Sequence, residues 1–198
     1  MPLVPLHIDM RGRHVLVAGG GAVAERKVRT LLGSGAKISI ITPEATSLLS
    51  ELAESGVVSL FYGCYRTEHL SDAFLVIAAT DCRDTNRRIA AEAQQHGILV
   101  NVVNAPDAGD CIFPAVLTRG DLEISISTGG TFPGFASELR DMLAGIISDE
   151  FGTILETLAA EREKLLTDSD QTPYYTKILR SRARELIQGL SAGKDQVP

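Results

Sequence analysis

A glycine loop between an apolar strand and an amphipathic helix constrains the fold of this chain more than any other feature. The apolar run His14–Ala18 leads directly into Gly19, Gly20 and Gly21, and apolar residues then recur at helical spacing. Gly19, Gly21 and Ala24 match G-x-G-x-x-A, in which the glycines let a pyrophosphate approach the backbone and the small residue allows close helix packing. The loop predicts a dinucleotide site; the alternative is a glycine turn in some other α/β protein.

Apolar strand-like runs alternate with helical patterns from residue 14 to about residue 112. The predicted strands are 14–18, 37–42, 58–62, 74–79 and 98–103, and the predicted helices are 22–33, 44–55 and 85–96. The fourth run, Phe74–Ala79, contains no polar residue, as expected for a strand covered on both faces. Strands that alternate with helices predict right-handed crossovers and a doubly wound parallel sheet of the Rossmann type, in the α/β class.

The pattern changes after residue 112. Two β-runs, 113–118 and 122–127, predict a hairpin, and a helix is expected from Pro133 with Thr131 as its N-cap. Helical pattern continues to about residue 166, breaks over 167–173, and resumes from Tyr174 to Leu190 before a polar tail.

These boundaries predict three parts in the chain. Residues 1–112 form the Rossmann domain, residues 113–148 a small α+β dimerisation region, and residues 149–198 a C-terminal helical domain. The middle part is too short to bury a core alone, so we expect it to pack on another subunit.

Charge and composition narrow the partners and the compartment. The net charge of −6 argues against non-specific nucleic-acid binding. No apolar run approaches the roughly 20 residues that span a bilayer, and the start lacks signal-peptide features, so no membrane contact is expected. The cysteines and histidines show no metal-ligand spacing, and three scattered cysteines are typical of the reduced cytoplasm.

The end of the second strand bears on the choice between NAD and NADP. The fingerprint places an acid there for the ribose 2′-hydroxyl, whereas this strand ends at Thr42-Pro43-Glu44. Glu44 either serves that role or only starts the next helix, where an acid favours the helix dipole. No arginine is present to hold a 2′-phosphate, so NAD is preferred.

Five segments, in order along the chain, resemble the siroheme synthase N-terminal family. They are Leu6–Arg13 with the glycine loop, Ala78–Asp81, Asn101–Pro106, Ile112–Ala115 and Ser125–Pro133. The resemblance covers about residues 5 to 148, whereas the C-terminal helices are similar only in kind. Five segments together are far more specific than any one of them.

The resemblance implies NAD-dependent oxidation of precorrin-2 to sirohydrochlorin by an intertwined homodimer. Some members also insert ferrous iron, which would be a substrate here and not a resident cofactor. The tetrapyrrole would lie at the carboxyl ends of the strands, as ligands do in open α/β sheets. The residues expected to bind the cofactor are Gly19, Gly20, Gly21, Ala22, Val23, Ala24, Thr42, Pro43, Glu44, Thr80 and Asp81.

One position departs from the family pattern. Members with both activities carry an aspartate where this chain has Asn104, and an amide takes up no proton at neutral pH. Asp107 or Asp110 would then supply the carboxylate, or the proton would go to water. Hydride transfer depends mainly on the cofactor, so the change bears more on iron insertion than on the oxidation. A structural amide that caps the loop is the alternative for Asn104.

Thr128 stands where the family usually has a serine near the tetrapyrrole, so its hydroxyl is a candidate substrate contact. The alternative is an ordinary threonine at a strand end. Two other functions compete with the dehydrogenase. The chain could be a non-catalytic NAD- or tetrapyrrole-binding protein that has lost its acid, or a regulatory nucleotide-binding domain of a transport system. The 113–148 segment argues against the last.

Overall fold

The structure is a computed structural model that describes residues 3–166 and 172–194. The chain divides into two compact units, residues 1–113 and residues 114–198. The division into three parts expected from the sequence stays a prediction.

The first unit is a five-stranded parallel sheet with helices. Its strands are β1 (His14–Ala18), β2 (Lys37–Thr42), β3 (Ser59–Tyr62), β4 (Leu75–Ala78) and β5 (Leu99–Val102). Its helices are α1 (Ala22–Leu31), α2 (Ser47–Glu54) and α3 (Arg83–Gln95), with 3₁₀ turns at Thr67–Leu70 and Pro106–Ala108. The strand order is β3-β2-β1-β4-β5 with every pair parallel, which confirms the predicted doubly wound sheet.

The core of this unit lies on both faces of the sheet. β4 is buried at every residue, as its unbroken apolar run predicts. One buried cluster joins the sheet to α3 through Ile89 and Ala93, and the other joins it to α1 through Ala24 and Val28. Because the chain order reverses beside β1, the carboxyl ends of β1, β2 and β4 leave a crevice between their loops.

The described residues of the second unit form a hairpin and three helices. Strands β6 (Ala115–Arg119) and β7 (Leu122–Ile126) pair antiparallel, which confirms the predicted hairpin. The helices are α4 (Pro133–Ile146), α5 (Glu150–Leu166) and α6 (Thr172–Lys194). The predicted break over 167–173 falls mostly on residues 167–171, which lie outside the described residues, as do residues 195–198 of the predicted tail.

Several predicted helix boundaries are wrong, among them the end of α1, both ends of α3 and the start of α6, and three others have a visible cause. Helix α2 begins at Ser47 and not at residue 44, because Thr46 is its N-cap and accepts a hydrogen bond from the Leu49 N–H. The N-cap of α4 is Phe132 and not Thr131. The helical pattern across 133–166 is interrupted at 147–149, where the Arg119 side chain donates to the carbonyls of Ala144 and Ile147 and so ends α4.

The described residues, 3–166 and 172–194, contain neither a candidate membrane span nor a candidate metal cluster. None of their helices is both long enough and apolar enough to span a bilayer. Their His, Cys, Asp and Glu side chains form no group of three or more that could hold a metal ion.

Candidate functional site

The first two glycines of the loop fill the gap between the ends of β2 and β4. Gly19 has φ +121°, and a Cβ there would overlap the Ala79 carbonyl. A Cβ on Gly20 would overlap the Glu44 carbonyl and the Thr42 side chain. The loop is pinned because the Gly19 N–H donates to the Ile41 carbonyl at 2.9 Å. Both positions therefore require glycine for packing within the protein itself.

Gly21 differs from the other two glycines. It is the N-cap of α1, its φ is −82°, and no side chain caps the helix. A Cβ built on Gly21 meets no atom within 4 Å. The first N–H groups of a helix have no partner inside the helix, so this end offers donors and a favourable dipole to a phosphate. Gly21 thus leaves open space beside an uncapped helix terminus, which fits a pyrophosphate.

A cleft of about 820 Å³ runs across the carboxyl ends of the strands in the first unit. It brings together eight of the eleven predicted cofactor residues. These are Gly19, Gly20, Gly21, Thr42, Pro43, Glu44, Thr80 and Asp81. The remaining three, Ala22, Val23 and Ala24, form the first turn of α1, and Ala24 is buried against the sheet. Their backbone, and not their side chains, would face a phosphate.

The turn after β2 forms one wall of the cleft. The buried Thr42 hydroxyl donates to the Glu44 carbonyl at 2.6 Å, and the Thr46 N–H donates to the Gly20 carbonyl at 3.0 Å. Because α2 begins only at Ser47, Glu44 lies in this turn with its side chain exposed on the cleft wall. Glu44 therefore does not start the helix, and its carboxylate is available to a ribose hydroxyl.

The segment that crosses from β3 to β4 also lines the cleft, through Gly63, Cys64 and Tyr65, which the sequence did not predict. Tyr65 is 7% exposed, and its hydroxyl donates to Glu92 at 2.8 Å, where the Thr67 hydroxyl also donates. Burial has the largest effect on the pKa of Tyr65 and raises it, and the hydrogen bond to Glu92 raises it further. The phenol therefore stays protonated. The Arg88 guanidinium lies 5.6 Å from the Tyr65 ring centroid. No motif marks these residues, because their contacts span about 25 positions of sequence.

Two cysteines line the same cleft. Cys64 follows β3, and Cys82 is the N-cap of α3. The hydrogen bond from the Thr85 side chain, with those from the Thr85 and Asp84 backbone, lowers the pKa of the Cys82 thiol. Burial raises the pKa of Cys111 to about 11. Of Cys82 and Cys111, Cys82 is therefore the more readily ionised and the more reactive at neutral pH, and it lines the cleft.

Asn104 follows β5 and lies one buried residue away from the cleft wall. Its Oδ1 accepts a hydrogen bond from Asn86 Nδ2 at 3.2 Å, and Asn86 in turn binds the backbone of Thr80. The sequence did not single out Asn86, which is wholly buried on α3. The amide of Asn104 is therefore linked through the Asn86 amide to Thr80, which lines the cleft.

The two nearby aspartates differ in their surroundings. The oxygens of Asp110 accept hydrogen bonds from Gln94 Nε2 at 3.0 Å and from the Val100 N–H at 3.2 Å. Asp110 thereby ties its loop to the outer edge of β5, which favours a structural role. Asp107 lies on the 3₁₀ turn Pro106–Ala108 and is exposed. Of the two carboxylates, Asp107 is the less constrained.

Thr128 belongs to the second unit, in the turn before α4. Its hydroxyl oxygen accepts a hydrogen bond from the Phe132 N–H at 3.2 Å, and its carbonyl accepts one from the Thr131 N–H. The side chain thus stabilises the start of α4. Its expected contact with a substrate stays a prediction.

Comparisons with known proteins agree with this geometry. A family model described as "Putative NAD(P)-binding" matches residues 6–115. A siroheme synthase of Methylococcus capsulatus is 38% identical over 100% of this chain and 43% of its own length. One of Ectopseudomonas mendocina is 42% identical over 78% of this chain and 33% of its own length. The chain thus spans less than half the length of these relatives.

A solved structure shares the fold. The protein titled "SirC, precorrin-2 dehydrogenase" superposes with a TM-score of 0.79 at 23% identity, covering 96% of this chain and 100% of its own. The likeness extends over both units and so includes the small antiparallel sheet and the C-terminal helices. The architecture expected from the sequence is therefore confirmed as a fold.

Proposed function

Because the chain belongs to the siroheme synthase N-terminal family of NAD(P)-binding proteins, we propose that it oxidises precorrin-2 to sirohydrochlorin with NAD. The observation that carries the proposal is the open space at Gly21 beside the uncapped N-terminus of α1. Bound NAD would accept a hydride from the tetrapyrrole, while one proton leaves. The chain's own residues would bind, orient and shield the reacting groups.

The preference for NAD over NADP rests on charge at the end of β2. Glu44 presents an exposed carboxylate on the cleft wall beside Thr42. A carboxylate there would accept a hydrogen bond from a ribose hydroxyl and would repel a 2′-phosphate. Arg88 is the cation among the cleft-lining residues, and it is engaged by the Tyr65 carbonyl and by Glu92.

The direct test is turnover. Purified protein is incubated with precorrin-2 and either NAD or NADP, and sirohydrochlorin formation is followed by its absorbance. We expect sirohydrochlorin to form with NAD and to form much more slowly with NADP. Binding of NAD without any product would instead support a non-catalytic NAD- or tetrapyrrole-binding protein, which the amide at Asn104 favours as the second candidate.

Iron insertion is the second activity to be tested, with ferrous iron as a substrate. Metal enters a tetrapyrrole only as pyrrole protons leave, and Asn104 supplies no base. Asp107 is the candidate replacement because it is exposed, whereas both oxygens of Asp110 bind the β5 edge and α3. We also propose a cytoplasmic location, which the free thiols of Cys64, Cys82 and Cys111 support.

Alkylation provides a test of cofactor placement that needs no turnover. With limiting iodoacetamide at neutral pH, Cys82 should react faster than Cys111, because its pKa is lowered whereas that of Cys111 is raised to about 11. Saturating NAD should protect Cys82, which lines the cleft, and leave Cys111 unchanged. Peptide mass spectrometry gives both rates. Equal Cys82 labelling with and without bound NAD would place the dinucleotide elsewhere.

We also propose a homodimer formed through the second unit. Helix α4 exposes Phe135 by 57% and Met142 by 56%, seven residues apart on one face with Leu139 between them. Apolar side chains in such a row commonly mark a protein–protein contact. Precorrin-2 and NAD would be bound by each subunit.

Met142→Glu should convert the dimer to a monomer, because a charge in this row would have to be buried in the interface. Light scattering at micromolar concentration measures the mass. Asp141→Lys is the matched control, since it changes the charge at an exposed position of the same helix outside the row. A wild-type protein of monomer mass would remove the proposal, and a dimeric Met142→Glu protein would move the interface away from α4.

A further inference from the structure

Asn86 is a buried amide whose hydrogen-bonding capacity is fully used. Its Oδ1 accepts from the Thr80 N–H at 3.0 Å and from the Thr80 hydroxyl at 2.7 Å. Its Nδ2 donates to the Thr80 carbonyl at 2.8 Å and to Asn104 Oδ1 at 3.2 Å. The side chain is 0% exposed. It therefore joins the loop after β4, which lines the cofactor cleft, to the loop after β5.

These contacts determine which way both amides point. A backbone N–H only donates and a backbone carbonyl only accepts, so the two Thr80 backbone bonds permit a single orientation of Asn86. Asn86 then presents Nδ2, a donor, to Asn104. Asn104 therefore accepts this hydrogen bond with its Oδ1. Its Nδ2, which carries two N–H donors, points away from Asn86.

The positively charged side chain of Arg83 lies next to Asn104. Arg83, the first residue of α3, reaches the Asn104 carbonyl with its guanidinium at 3.5 Å, and its side chain is exposed. The chain as a whole carries a net charge of −6, so attraction for an anionic ligand must be local. The Asn104 amide nitrogen and the Arg83 guanidinium are both hydrogen-bond donors, and the Asn104 carbonyl engages the guanidinium only through Nη2. Such a pair suits a carboxylate.

We propose that Asn86 is a positioning residue that holds Asn104 with its nitrogen outward, so that Asn104 and Arg83 together bind a carboxylate group of the tetrapyrrole. The proposal rests on the proposed function, because it takes precorrin-2 as the anionic ligand. It gives position 104 a binding role in place of the proton transfer that an amide cannot perform. Asn86 acts only through Asn104 and Thr80.

A double-mutant cycle on the KM for precorrin-2 tests this arrangement. Asn104→Ala removes the donors and should raise KM roughly ten- to hundredfold, the usual loss for a hydrogen bond to a charged group. Asn86→Ala should also raise KM. In the Asn104→Ala protein, however, Asn86→Ala should add little, because its effect on the tetrapyrrole passes through Asn104. The NAD affinity of each variant is measured in parallel. It reports on the contact between Asn86 and Thr80, whereas the KM for precorrin-2 reports on the contact between Asn86 and Asn104.

The control variants share the chemistry of the test variants but not their location. Gln94→Ala removes another amide of α3 that reaches the loop after β5, through Ala108 and Asp110, and should leave KM unchanged. Arg83→Ala should raise KM more at low salt than at high salt. Arg87→Ala, an exposed arginine one turn further along α3, should not.

Side-chain amide exchange by NMR reads the orientation without any turnover. In the ligand-free protein, the Asn86 Nδ2 protons should exchange slowly with water and the Asn104 Nδ2 protons quickly. Adding sirohydrochlorin should shift and protect the Asn104 pair. Additive KM effects in the cycle, or slow exchange at Asn104 in the free protein, would overturn the proposal. Absence of turnover in the wild type would refute the proposed function alone, and the same cycle would then be measured on sirohydrochlorin affinity.

Discussion

Gly21→Asp should abolish NAD binding while the protein stays folded. The substituted Cβ enters the space that a pyrophosphate would occupy, and the carboxylate repels the phosphates at close range. The fold tolerates the change because Gly21 has φ −82° and a Cβ there meets no protein atom within 4 Å. We expect NAD affinity to fall at least about a hundredfold, since both a steric and a like-charge penalty act on one contact. Titration calorimetry measures the affinity, and thermal unfolding measures the fold.

Two further variants separate the steric effect on NAD binding from the charge effect and from a loss of stability. Gly21→Ala adds the Cβ without the charge, so its affinity should lie between those of the wild type and Gly21→Asp. Gly19→Ala should instead destabilise the protein, because its Cβ overlaps the Ala79 carbonyl and its φ of +121° is strained for any residue but glycine. Unchanged NAD affinity in a folded Gly21→Asp protein would move the cofactor away from the glycine loop.

Asn104→Asp should raise metal insertion into sirohydrochlorin and leave NAD affinity unchanged. A carboxylate at this position can take a pyrrole proton, and a well-placed general base is typically worth ~10² to 10⁴ in rate. Asn86 Nδ2, which lies 3.2 Å from the present Oδ1, would donate to the new carboxylate and keep it in the reactive geometry. Insertion of ferrous iron or cobalt is measured at saturating sirohydrochlorin. Oxidation of precorrin-2 is measured separately, because the same change replaces outward donors by an acceptor and should raise its KM.

The two aspartates of the neighbouring loop serve as the comparison. If Asp107 has taken over proton removal, Asp107→Ala should depress the wild-type insertion rate. Asp110→Ala should chiefly lower stability, because it frees the Val100 N–H and Gln94 at the sheet edge. Wild-type insertion that is fast and insensitive to changes at all three positions would show that proton removal here needs none of them.

The sequence alone determined the Rossmann sheet and the place of the glycine loop. An apolar strand, a glycine turn and an amphipathic helix are local patterns, and their order along the chain limits the sheet to parallel crossovers. The strand bounds of β1 and β2 agree with their predicted limits at every residue. The start of α2 was misplaced because the Thr42–Glu44 turn competes with the helix there, and a helical pattern does not show which side chain caps it.

Only the tertiary structure decided which residues line the site and how its amide side chains are oriented. The Tyr65–Glu92 contact joins residues 27 positions apart, and Asn86 reaches Asn104 across 18. Such pairs leave no local periodicity, because each partner looks like an ordinary polar residue of its own helix or loop. In the sequence, Asn104 stands out only as an amide at a position where the family has an acid. Its role as an oriented donor emerged only when the backbone of Thr80 fixed Asn86, and Asn86 in turn fixed Asn104.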